Sequence, residues 1–197
     1  MASLAQERST GSVVLIDAMV LRDMGAALNG VWRPADEEDP ARARRLVAAA
    51  RLRLYGTRDR TGWLLVAIDA ARAAVLRRGD ADWSVGYVPA IESFTDATAP
   101  EDVAAMVRLF REDEAIDADS AAALAHAVLC EEVDVIVTDE PRRFRHGREG
   151  DLPDRLEIVD PLELEARLAL APGEQPAVEV PDGVLSLLGD EPWWVQR

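Results

Sequence analysis

Three apolar runs in this chain each end on an aspartate. They are Val13-Val14-Leu15-Ile16 before Asp17, Leu64-Leu65-Val66-Ala67-Ile68 before Asp69, and residues 133–138 before Asp139, which Glu140 follows. Short, nearly continuous apolar runs between helical patterns read as buried parallel strands. In an open parallel sheet the ligand site lies beyond the carboxyl ends of the strands. Carboxylates delivered together to that edge repel one another unless a cation is shared among them, so the chemistry indicated is a divalent-metal site. Magnesium takes oxygen ligands in near-octahedral geometry and is commonly held by one or two carboxylates plus substrate phosphate. Such an ion orients a phosphodiester, lowers the pKa of an attacking water and stabilises charge on the leaving oxygen.

An acid directly after a buried strand meets a large desolvation cost without partners, which singles out Asp17. Asp69 is also placed to cap the helix that follows it. Asp139 and Glu140 are either ligands or turn residues before Pro141. Arg142, Arg143 and Arg145 come next, with His146 and Arg148. Guanidinium forks beside a metal site would position phosphate, and the same cluster reads equally as a solvated loop.

The composition narrows the options. With 197 residues, 49% of them apolar, the chain is globular and long enough for one well-buried domain with an appended segment. A formal net charge of -15 argues against a broad grip on nucleic-acid phosphates. All the basic residues are arginine, so a P-loop lysine and Schiff-base chemistry are both excluded. Cys130 is the only cysteine, and His126 and His146 the only histidines. That rules out an internal disulfide and cysteine- or histidine-rich metal sites. No stretch reaches the roughly 18–20 apolar residues of a membrane span, and the start lacks a signal-peptide pattern. The expected location is the cytoplasm, with no membrane partner.

The elements that must position these acids alternate between strand and helix, the mark of an α/β fold with a parallel sheet. The patterns predict a strand at 12–16, a helix at about 19–28 stopped by Asn29-Gly30, and an arginine-rich helix from Pro40 to about 54. A strand at 63–68 and a helix over 69–78 follow. Residues 79–99 offer only an extended piece at 83–87. Helices at about 100–111 and 119–131, strands at 133–138 and 156–159, and a helix at about 161–170 complete the domain. The expected core includes Val13, Leu15, Leu65, Val66, Leu124, Val135 and Val137. Residues 171–197 carry Val180, Val184, Leu185, Leu187, Leu188 and Trp193-Trp194. Burying one aromatic of about 150–250 Å² stabilises by several kcal/mol, so this extension is expected to pack on the domain or across a homodimer interface.

In this order, Ile16-Asp17, the helix opening Asp117-Ala118-Asp119-Ser120-Ala121-Ala122-Ala123-Leu124-Ala125, and Val133-Asp134-Val135-Ile136-Val137-Thr138-Asp139-Glu140 resemble the PIN-domain nuclease family over residues 12–170. The resemblance implies a three-layer α/β/α sandwich around a parallel sheet. It also implies RNA cleavage with Mg or Mn held by acidic side chains. It assigns Asp17, Asp119 and Asp139 as the catalytic, metal-holding acids, with Ser120 as the alternative slot one residue on and Asp117 on the same turn. Phe144 matches the aromatic that often follows the last motif. Met19 stands where many members carry Asn, Ser or Thr, and Ala74 stands near the family's second acid. Asp69 and Glu140 are then secondary metal ligands, and Arg142, Arg143 and Arg145 the substrate-binding arginines. The implied function is a metal-dependent endoribonuclease, the alternative a catalytically degenerate PIN-like module binding RNA or a protein partner. Because the family includes toxins, an antitoxin protein is a further implied partner. A haloacid-dehalogenase phosphatase needs a second Asp where Met19 stands, and a response-regulator receiver needs a lysine.

Overall fold

Val14, Leu15 and Ile16 are consecutive and all fully buried, so both faces of strand β1 (Val13–Ile16) are covered. A computed structural model describes residues 13–28, 37–55, 64–68, 71–73, 92–94, 98–112, 116–148 and 150–168. β1 lies at the centre of a five-stranded sheet with β2 (Leu64–Ile68), β3 (Glu92–Phe94), β4 (Val133–Val137) and β5 (Glu157–Val159). The strand order is β3-β2-β1-β4-β5, and every neighbouring pair is parallel. The chain therefore winds outward from β1 in one direction and then returns to wind in the other. The resulting switch point lies between β1 and β4, where open α/β sheets place ligands.

Helices α1 (Ala18–Leu28) and α2 (Pro40–Tyr55) connect β1 to β2. Helices α3 (Pro100–Phe110) and α4 (Ala118–Leu129) connect β3 to β4. Parallel crossovers are almost always right-handed, so opposite winding puts these two pairs on opposite faces of the sheet. Against one face, Leu15, Val66, Ile136 and Ile158 pack with Phe110, Leu124 and Phe144 in a single apolar cluster. Ala121, Ala123, Ala125 and Ala127 are fully buried, and these small side chains let α4 lie close to the strands. Elsewhere α2 packs against α1 and against α6 (Pro161–Leu168), burying Leu21, Met24, Leu46 and Leu52.

Two arginines tie the C-terminal half together. Arg155 donates to the carbonyls of Ala127, Val128 (3.0 Å), Cys130 (2.9 Å) and Val133 (3.1 Å), closing the orphan carbonyls at the end of α4. Arg148, only 4% exposed, donates to Arg143 O (2.8 Å), His146 O (3.0 Å) and Phe110 O (2.7 Å). It thereby joins α5 (Pro141–Arg145) to the end of α3. Gly147, with φ of 69°, takes the left-handed conformation that lets the chain turn after α5.

The α/β class and the parallel sheet agree with the sequence reading, and the expected strands at 12–16, 63–68, 133–138 and 156–159 lie within a residue of those found. β3 was not expected. It is three residues long with one apolar side chain, too short to show a period. The arginine cluster, which reads from the sequence equally as phosphate-positioning forks or a solvated loop, forms helix α5: Pro141 at its start presets the helical φ. Of the expected core, Leu15, Val66, Leu124, Val135 and Val137 are buried, whereas Val13 is half-buried. The side chain of Leu65, the extended piece at 83–87, most of the helix expected at 69–78 and the extension 171–197 lie outside the described residues. Among the described residues no helix is long and apolar enough to cross a membrane.

Candidate active site at the switch point

The ladder between β1 and β4 pairs Ile16 with Val137. Its hydrogen bonding runs one residue further: Asp17 N donates to Val137 O and Thr138 N to Val159 O, each at 3.0 Å. Asp17 and Thr138 are thus fixed side by side just beyond the strand ends. The Asp17 carboxylate is 1% exposed and accepts from Ala18 N (2.7 Å), Ser120 Oγ (3.2 and 3.4 Å) and Thr138 Oγ1 (3.2 Å). Ser120 reaches it because Asp117 caps α4, accepting from Ser120 N at 2.8 Å and fixing the helix's first turn. Burial pushes Asp17 up to about 6, although the bonds from Ala18, Thr138 and Ser120 pull it down.

Asp139 sits on the turn after Thr138 among different companions. Arg42 Nη1, from α2, lies 3.8 Å from it. Arg42 also pairs with Glu37 at 3.3 Å and with Asp23 at 3.5 Å. Asp23 is a buried acid on α1 whose Oδ1 accepts from Arg22 Nε (3.2 Å) and Nη2 (2.8 Å). Burial pushes Asp139 up to about 7, aided by the charge of Asp23 and a hydrogen bond with it, against the pull of Arg42 and Arg45. Two carboxyl groups bond to each other only when one carries a proton. Asp23 Oδ2 makes no hydrogen bond of its own and is met only by the long 3.5 Å ion pair from Arg42.

These groups open into one cavity of about 390 Å³. Asp17, Asp117, Asp139 and Glu140 line it together with Arg42, Arg45 and Arg143. Glu140 is half-exposed and pairs with Arg143 at 2.8 Å. The expected acids Asp17, Asp139 and Glu140 are therefore brought together. Asp119 lies in the first turn of α4 but does not line the cavity; its neighbour Ser120 does. Asp69 and Ala74 lie outside the described residues. Of the three arginines expected to bind substrate, only Arg143 reaches the cavity. Arg142 is exposed on α5, and Arg145 donates to Ile158 O beside a separate depression along β5.

Asp23, Arg42 and Arg45 were missed as site residues. Asp23 shares the buried face of α1 with Val20 and Ala27, so a helical projection of α1 would have marked it. Arg42 and Arg45 carried no mark in a helix that also holds Arg44 and Arg51.

No family model matches this chain, and neither does any curated protein or solved structure. Among the described residues no group of three or more His, Cys, Asp or Glu side chains is disposed to hold a metal ion. The oxygen donors of the cavity nonetheless suit a hard cation held in part by water and substrate. Asp17 is a fully buried carboxylate met only by neutral donors, and Asp139 lacks a close ion pair. Two carboxylates are what magnesium usually takes from protein at such a site.

Proposed function

We propose that this chain is a PIN-like, Mg- or Mn-dependent ribonuclease whose cation is held by Asp17 and Asp139. The observation behind the proposal is that Asp17, fully buried, and Asp139, partly buried, line one cavity at the β1–β4 switch point, each with a pKa raised by burial. Groups that pay a desolvation cost in a cleft are candidates for function. Ser120 and Thr138 hold the Asp17 carboxylate in one orientation, and Glu140 and Arg143 form the exposed rim where an RNA strand would enter. When bound, the cation would polarise the scissile phosphate and supply a water of lowered pKa. The cytoplasm, where RNA and both ions occur, is the proposed location.

One observation favours a second reading. Arg42 already stands between Asp23, Glu37 and Asp139, so a guanidinium supplies part of the positive charge a metal would bring. On that reading the pocket is a degenerate module that binds RNA or a protein without cutting. Incubating a mixed RNA pool with the wild-type chain and with Asp17→Asn, in Mg and in Mn, separates the two. The ribonuclease reading expects cleavage by wild type alone. No cleavage by wild type in either ion defeats it.

A further inference from the structure

Helix α2 carries Arg42 and Arg45 three residues apart, hence on one face, and both line the cavity that holds Asp17 and Asp139. Arg44, between them, is exposed on another face. The two guanidinium groups are incompletely engaged. The three ion pairs of Arg42 span 3.3–3.8 Å, longer than the roughly 2.7–2.9 Å of a charge-assisted hydrogen bond. Arg45 Nε is buried and has no hydrogen-bond partner, a state that costs free energy unless a ligand meets it. Compare Arg143, whose Nη1 is bonded to Glu140 at 2.8 Å. Two forks with donors in reserve, in a cavity large enough for a nucleotide fragment, match the geometry of a phosphate group.

We infer that Arg42 and Arg45 form a phosphate-binding arm, holding one phosphate of a single-stranded RNA beside Asp17 and Asp139. The inference rests on the proposed ribonuclease reading for the choice of RNA, but not for the phosphate chemistry. It also explains how a chain of net charge -15 could hold a polyanion: the binding charge is concentrated in one cavity instead of spread over a basic face. Four carboxylates and three guanidinium groups line the cavity, so adding a divalent cation turns the local balance positive. RNA and cation then bind with mutual support.

The test is fluorescence anisotropy of a short labelled single-stranded RNA with the full chain in EDTA, where no metal-dependent cleavage occurs. The expected result is that Arg42→Gln and Arg45→Gln each weaken binding about tenfold. Each also makes the dependence of log affinity on log salt shallower by about 0.7. Arg44→Gln leaves both quantities unchanged, and Arg45→Lys, which keeps charge but not the fork, falls between. A merely structural role for these arginines would alter thermal stability without altering the salt slope. If the chain cleaves RNA in Mn while both Gln variants keep wild-type affinity, slope and KM, the arm is overturned and the ribonuclease reading stands. If no cation supports cleavage but binding is lost in both Gln variants, the arm stands and the ribonuclease reading falls. If inorganic phosphate protects the wild-type chain against thermal unfolding but the RNA does not bind, the assignment to an RNA strand is overturned. Binding of neither probe overturns the inference entirely.

Discussion

Arg148 and Arg155 in the C-terminal half, and Arg42 and Arg45 on α2, are the same residue type put to opposite uses. The first two spend their donors on backbone carbonyls at 2.7–3.1 Å, with weaker contacts to Ala127, and so lock helix ends in place. The second two face a cavity, with ion pairs no shorter than 3.3 Å for Arg42 and a buried, unbonded Nε for Arg45. A guanidinium closed on backbone carbonyls locks a helix end, whereas one that faces a cavity through long ion pairs has donors left over, as the proposed phosphate arm requires. The two cavity acids divide similarly. Asp17 is met by neutral donors and Asp139 by mixed charges, and both are left with raised pKa values.

The largest effect tests the first half of that contrast. Arg148→Met leaves three backbone carbonyls without their donor, and denaturant unfolding should show a loss of about 3–5 kcal/mol. Arg45→Ala should change stability by about 1 kcal/mol or less. Comparable losses in the two variants would erase the distinction.

Next comes Asp17→Asn, which keeps an oxygen for Ala18 N while removing a buried charge. A carboxyl whose pKa is higher folded than unfolded binds its proton more tightly in the native state. Stability is then lost as pH rises from about 4 through about 6. The shift from 3.8 to about 6 corresponds to roughly 3 kcal/mol at pH 8. The metal-free Asn variant should be more stable than wild type by up to that amount at pH 8, with the advantage gone near pH 4. A variant less stable at pH 8 would contradict the account of Asp17.

Removing one hydroxyl donor is a smaller change. Thr138→Val should cost about 1–2 kcal/mol at pH 8 and less at pH 4, because the lost bond served the ionised form of Asp17. An equal loss at both pH values would assign the contribution of Thr138 to packing and to the bond its Oγ1 accepts from Glu140 N, not to Asp17. The smallest effect is expected from Asp119→Asn: unchanged metal affinity by calorimetry, and about 0.5 kcal/mol of helix-dipole stabilisation lost. A drop in metal affinity would return Asp119 to the site.

Much of this was legible in the sequence where one residue type carries one meaning. The strands at 13–16 and 133–137 announced themselves as apolar runs, and an aspartate one or two residues after each, Asp17 and Asp139, marked the sheet edge. What stayed hidden depends on side-chain direction. Asp119 and Ser120 are adjacent on a helix, so a register uncertain by one residue exchanges the residue that bonds Asp17 for one that does not line the cavity, and capping by Asp117 fixes which faces Asp17. Arg142, Arg143 and Arg145 are likewise separated by helix α5, which turns only Arg143 toward the cavity. Arg42 and Arg45 come from an element distant in sequence from either motif, and only the packing of α2 against α1 brings them near Asp139.

Asp17 and Asp139 together hold the proposed divalent cation. The most direct measurement is thermal unfolding with and without Mn at pH 8, where protons no longer compete for either acid. Wild type is expected to gain about 2.7 kcal/mol at a hundredfold excess over Kd, read as a rise of roughly 5–10 °C in Tm. Asp17→Asn and Asp139→Asn are expected to show no rise. An equal rise in all three proteins, or none in wild type, would contradict that assignment.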